Sequence, residues 1–130
     1  MYNVWKPRKR PSKKILDSKD KLFGATLANL DLAGLNFQNA KLAKANLSHT
    51  NLSNANLIET DFTEANLLEV DVTEALDFTK ANLSGADLTQ AVLSEADLSG
   101  ADLGGADLRV ADLRVADLGA TDLGVFVGST

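Results

Sequence analysis

Ala96-Asp97-Leu98-Ser99-Gly100 decides how the chain folds, because the same five-residue word recurs on both sides of it. Neighbours read Ala81-Asn82-Leu83-Ser84-Gly85, Ala106-Asp107-Leu108-Arg109-Val110 and Ala111-Asp112-Leu113-Arg114-Val115. The large apolar residue is the centre of each word. Centres fall at Leu27, Leu32, Phe37, Leu42, Leu47, Leu52, Leu57, Phe62, Leu67 and Val72. After one extra residue near 75–78 they resume at Phe78, Leu83, Leu88, Leu93, Leu98, Leu103, Leu108, Leu113, Leu118 and Leu123. Two residues before the centre stands Ala in thirteen of these twenty words; the exceptions are Leu30, Leu35, Thr50, Thr60, Val70, Leu76 and Thr121. Such a fixed period decides architecture before any local propensity does.

A helix cannot use this period. Five residues advance each centre by roughly 140° around a helix axis, which scatters the leucines over every face. In extended backbone, by contrast, Ala and Leu two apart share a side, and the residue between them points the other way. Each word therefore reads as a very short strand and a corner, the corner built from the Ser, Thr, Gly, Asn and Asp that suit turns. A chain that turns the same way at every corner winds into a coil. Successive coils then pair as parallel strands at about 4.8 Å.

This run of A(D/N)LXX words, from Ala25 to Leu123, resembles the pentapeptide repeat proteins. The resemblance implies an all-β fold: a right-handed quadrilateral β-helix with four words per coil. Twenty words then make about five coils, a rod of about 24 Å at the sheet spacing. It also implies a protein that acts through its surface. Most members look like non-enzymatic interaction proteins, and some mimic B-form DNA and bind type II topoisomerases.

Composition agrees with a solenoid. Five Phe, one Tyr and one Trp are few for a conventional core, so a column of Leu with Ala in the gaps must supply it, closed one coil at a time. Each buried Leu contributes roughly 1.5–3 kcal/mol. There is no cysteine, which excludes disulfides, thiolate nucleophiles and cysteine metal sites. No apolar run reaches a membrane span, and the first residues lack the apolar stretch of a secretory signal, so a cytoplasmic protein is expected.

Residues 1–11 are a different material. Eight of the thirteen basic residues precede the repeats, against only Asp17 and Asp20, a local charge of +6. Lys6, Arg8, Lys9, Arg10, Lys13 and Lys14 can serve as an arm for nucleic acid or an anionic surface, or simply as a solvated tail lying along the chain's own acidic rod. Residues 12–24 are expected to hold a short helix that lids the first coil, with Ser12 as N-cap and Ile15 and Leu22 on one face.

The outward strand slot is neutral at first, with Asn36, Asn46, Asn51, Asn56 and Asn66, and becomes acidic later. Asp77, Asp97, Asp102, Asp107, Asp112, Asp117 and Asp122 are the candidate partner surface. Stacking every four words aligns Asp77, Asp97 and Asp117, and aligns Asp102 with Asp122. Such columns are expected to raise carboxylate pKa values and to favour a basic partner. The alternative is turn chemistry, since Asp and Asn alike hydrogen-bond local backbone. Residues 24–130 carry sixteen carboxylates against five basic groups, a net of −11. Over about 24 Å that is one charge per ~2.2 Å, against one per ~1.7 Å for duplex DNA. Glu59, Glu64, Glu69 and Glu74 share the turn slot in four consecutive words and are expected to ring the rod.

The C-terminal end differs again. Val110, Val115 and Val125 take a slot that elsewhere holds Gly, Glu or Asn, and Phe126 and Val127 follow. Uncovered strand edges with apolar surroundings invite pairing with another chain. This end, 126–130 included, is the candidate dimer contact, with Arg109 and Arg114 at its rim. No catalytic constellation emerges and no cofactor is implied. His49 sits in a turn slot, Gly104-Gly105 precedes no helix, and a convex rod offers no cleft for general acid–base work.

Overall fold

The computed structural model describes residues 9–71 and 77–124. Each word contributes one bridging residue, and the bridges align in four parallel ladders. The first face stacks Thr26, Asn46, Asn66, Asp87 and Asp107; the second stacks Asp31, Asn51, Asp71, Val92 and Asp112. The third stacks Asn36, Asn56, Asp77, Asp97 and Asp117, and the fourth Lys41, Asp61, Asn82, Asp102 and Asp122. One circuit is thus twenty residues, four words.

Three inter-coil bonds hold each word. The centre N–H donates toward the C-terminal neighbour, as Leu83 does to the Asp102 carbonyl at 2.7 Å. The outward residue donates back, as Asp102 does to the Ala81 carbonyl at 2.9 Å. The turn residue gives the third, as the Gly85 N–H donates to the Gly104 carbonyl at 2.9 Å. A further bond closes the corner, from the Ala86 N–H to the Leu83 carbonyl at 3.0 Å. The third residue of that corner has positive φ, as at Lys44 (59°), Glu64 (57°), Gly85 (67°) and Gly105 (70°). An i to i+3 bond with positive φ at the third residue alone is the type II pattern.

The extra residue is absorbed without loss of register. Asn51 pairs with Asp71, but Asn56 pairs with Asp77, and the twenty-residue step returns at Asp77 and Asp97. The expected centre Val72 lies outside the described residues.

Every described centre from Leu27 to Leu108 is buried, and Ala40, Ala45, Ala55, Ala65 and their later equivalents fill the gaps between them. Phe62 and Phe78 meet edge-to-face with centroids 6.1 Å apart, an arrangement aromatic quadrupoles favour. Thr50 and Thr60 stand in the Ala slot fully buried. Their hydroxyls donate to the carbonyls of Leu47 (2.7 Å) and Phe37 (2.8 Å), which removes the cost of burying them.

The ends depart from expectation. The N-terminal helix is far shorter than 12–23: α1 spans Lys13–Leu16, and a 3-10 turn follows at Lys19–Lys21. Ser12 holds the N-cap place but makes no side-chain cap bond. Leu22 is not on a helix face. It stands five residues before Leu27 and is buried like a centre, with Gly24 in its turn slot at φ 67°. The core column and its corner therefore reach one word further toward the N-terminus, closed by the Ala25 N–H to the Leu22 carbonyl at 3.0 Å, and Phe23 is left 65% exposed. At the other end Leu113 is only partly buried, and Leu118 and Leu123 are 39% and 38% exposed. These expected core centres belong to the last circuit, which has no described circuit stacked on it.

Candidate interaction surfaces

The acidic slot is first of all a turn device. In word after word Oδ1 of the outward Asp or Asn accepts the N–H two residues on, as Asp77 does from Thr79 (2.9 Å), Asp97 from Ser99 (3.0 Å) and Asp117 from Gly119 (2.9 Å). Asn46, Asn56 and Asn66 accept the same bond, so the local backbone takes one oxygen whether or not the group is charged. At Asp107 and Asp112 the second oxygen meets Arg109 and Arg114.

Stacking aligns the carboxylates as expected, but at Asp97 the titration goes the other way. Hydrogen bonds from the Ser99 hydroxyl and N–H hold Asp97 below the usual carboxylate range. The Arg109 side chain and N–H lower Asp107, and the Arg114 side chain and N–H bring Asp112 to about 2. Donors aimed at the charged form outweigh repulsion between neighbours screened by water. The upward shift expected for the columns is therefore overturned at Asp97.

Arg109 and Arg114 do not stand free at a rim. Arg109 Nε meets Asp107 Oδ1 at 2.8 Å, and Arg114 Nη2 meets Asp112 Oδ2 at 2.6 Å. They neutralise the C-terminal parts of the first and second faces. The third and fourth faces keep Asp97, Asp102, Asp117 and Asp122 beside Ser99, Gly104, Gly119 and Gly124, so their carboxylates rise from a floor of small residues.

The glutamate ring is partly paired. Glu64 faces Lys44 one circuit below at 4.0 Å, and Glu69 faces His49 Nδ1 at 3.3 Å; Glu74 lies outside the described residues. Among the described residues no three His, Asp or Glu side chains converge as metal ligands, and no helix is long and apolar enough to cross a membrane.

The basic arm is partly docked. Lys9 bridges Leu30, and its carbonyl accepts the Asp31 N–H at 2.9 Å. Arg10 Nη1 donates to the carbonyls of Ala33 (3.0 Å) and Asp31 (3.3 Å) and lies 3.5 Å from Asp31 Oδ1. The Lys19 carbonyl accepts the Lys41 N–H at 2.9 Å. Lys13 is exposed on α1, the Lys14 side chain is outside the description, and Lys6 and Arg8 lie outside the described residues. The docking of Arg10 was not legible in the sequence, where it looked like one more residue of a basic run. Leu22 had a signal, its spacing of five from Leu27.

Among the described residues the C-terminal end exposes apolar side chains. Val110 and Val115 are 70% and 85% exposed, and both are β-branched residues in the left-handed region, with φ of 61° and 60°. That conformation costs on the order of 1–3 kcal/mol for each. Among the described residues no backbone partner meets the N–H groups of Leu113, Val115, Leu118, Ala120 and Leu123, or the carbonyls of Ala111 and Ala116. Val125, Phe126 and Val127 lie outside the described residues.

Known proteins share this architecture. The chain is similar to a pentapeptide repeat protein of the Arabidopsis thaliana thylakoid lumen, with a TM-score of 0.71 at 26% identity over 75% of this chain and 67% of that one. It is also similar to Rfr23, a pentapeptide repeat protein from the cyanobacterium Cyanothece 51142, with a TM-score of 0.67 at 30% identity over 91% and 93% of the two chains. A search of curated protein sequences yields no significant match. The family model described as pentapeptide repeats matches eight copies, over residues 21–57, 40–76, 77–114 and 91–124. The chain, with its four ladders and its leucine column, belongs to the pentapeptide repeat family of right-handed quadrilateral β-helices.

Proposed function

We propose that this protein is a non-enzymatic scaffold of about five coils, lidded by its N-terminal segment, that docks a protein partner through its C-terminal end. The carrying observation is that end itself: apolar side chains and unpaired backbone groups on one circuit, with strained valines projecting beside them. Exposed edges of this kind are ordinarily covered or blunted, and apolar surface rimmed by polar groups marks an interaction site. A second copy is one such partner, giving a dimer through the C-terminal coil. The cytoplasm is the compartment proposed with it. The test compares capture of partners by the wild type, by V110K/V115K, and by D97N/D102N/D117N. Loss with the lysine variant and retention with the asparagine variant supports docking at the end; equal capture by all three overturns it.

A second reading is an acidic mimic of duplex DNA directed at a type II topoisomerase. It is favoured by the columns of Asp77, Asp97 and Asp117 and of Asp102 and Asp122, at least one of whose members is held ionised by local donors. Asn keeps the turn acceptor and removes only the charge, so D97N/D102N/D117N isolates electrostatics from fold. Salt-sensitive binding to gyrase that disappears in this variant supports the mimic. Binding indifferent to both salt and the substitutions contradicts it. The docked position of Lys9 and Arg10 weighs against a free nucleic-acid-binding arm.

A further inference from the structure

We infer that Lys9 and Arg10 form a plug that keeps the first coil from stacking on the last coil of a second copy. Inside the rod each outward residue is served from below by three groups. Asn51, for example, gives its N–H to the Leu30 carbonyl at 3.1 Å, while its own carbonyl takes the Leu32 N–H at 2.8 Å. The Ser53 carbonyl takes the Gly34 N–H at 2.9 Å. One circuit lower no coil remains, yet all three places are filled. The Lys9 carbonyl takes the Asp31 N–H, and Arg10 Nη1 alone serves the carbonyls of Asp31 and Ala33. The guanidinium stands in for two backbone donors of an absent coil.

The other end holds the complementary set. Among the described residues the N–H groups of Leu113 and Val115 meet no backbone partner, nor does the Ala111 carbonyl. In the interior their equivalents, Leu93, Glu95 and Ala91, bond to the Asp112 carbonyl, the Arg114 carbonyl and the Asp112 N–H. The last coil of one copy therefore offers the second face of another the same three bonds that Lys9 and Arg10 now make. A straight peptide cannot follow a four-sided edge that turns every five residues; a second coil of the same period can. Head-to-tail stacking of this kind does not close and runs on into fibres. With the plug seated, the second face of the N-terminal end is filled and no coil can be received there, so assembly stops at a pair joined through the C-terminal ends. This inference rests on the proposal that the C-terminal end is the contact end.

The test is sedimentation of the full-length chain. R10A is expected to form species of three or more copies whose size grows with concentration, where the wild type stays at one or two. Adding L118K, which places a charge on the receiving end, is expected to restore the wild-type distribution. Circular dichroism reports whether R10A keeps its β signal; if it does not, R10M, which keeps the stem but has no donor, takes its place. A folded R10A or R10M that sediments as the wild type overturns the plug. So do large species that persist with L118K, since they are not formed through this end. If R10A assembles while the wild type captures no partner, the plug stands and the scaffold reading falls.

Discussion

At one end of the rod Arg10 lends its guanidinium to the carbonyls of Asp31 and Ala33; at the other, the N–H groups of Leu113, Leu118 and Leu123 meet no described backbone partner. Both ends face the same physical problem, because a solenoid that stops must leave half a ladder unpaired. The N-terminal end solves it on two of its four faces with chain of different composition: Lys9 and Arg10 supply the bonds at Asp31, Lys19 supplies the bond at Lys41, and Ile15 packs against the core. The C-terminal end leaves it unsolved within residues 77–124. A rod with one partly closed end and one open end has a direction, and that asymmetry is what the functional proposal uses.

The contrast can be broken at several places. The largest effect is expected for the leucine column. Leu88→Ala removes a fully buried centre and should cost about 2–5 kcal/mol, whereas Leu118→Ala at the open end should cost well under half of that. Chemical denaturation of the two variants checks it, and equal losses would mean the last circuit is packed as tightly as the middle. A gain is expected at the strained corner: Val115→Gly should stabilise by about 1 kcal/mol, because glycine adopts positive φ without the penalty a β-branched residue carries. The change is a rise in melting temperature of several degrees. If capture of a partner falls as stability rises, the valine is retained for contact rather than for fold.

Titration gives the smallest effect and separates the two kinds of face. Asp112, with its Arg114 partner, should titrate near 2 by NMR, and Arg114→Gln should move it back toward the ordinary carboxylate value. A carboxyl whose folded pKa is depressed stabilises the fold above its unfolded pKa of 3.8. That contribution is lost as pH falls from there toward 2. The same holds in direction for Asp97 and Asp107, so acid should loosen the C-terminal half through these three groups. An Asp112 pKa above 4 would show that the Arg114 bonds do not hold in solution.

Much of the fold was legible because period is a global signal. A spacing of five repeated twenty times leaves few architectures, and Leu42, Leu57 and Leu98 are buried where that spacing puts them. The ends were less legible for a physical reason: there the repeat stops, and local propensity competes with the pull of the ladder. Leu22 was assigned to a helix by its seven-residue spacing from Ile15, yet pairing with the coil above outweighs one turn of helix. Leu118 and Leu123 follow the period faithfully and are still half open, because burial depends on a neighbouring coil that no word can encode about itself. On the surface both readings, charge and turn chemistry, were open in the sequence. The carboxylates are tied into turns, and the pKa values of Asp97, Asp107 and Asp112 follow those bonds. The role of Arg10 depends on where a flexible side chain lands, which spacing does not reveal.

Amide hydrogen exchange, run at a concentration low enough to prevent self-association, tests the two-ended account most directly. The N–H groups of Asp31 and Lys41 should exchange slowly, like those of Leu83 and Asp102 in the interior, because Lys9 and Lys19 hold them. Those of Leu113, Leu118 and Leu123 should exchange many times faster. Protection of equal strength at both ends, or fast exchange at Asp31 and Lys41, would contradict it.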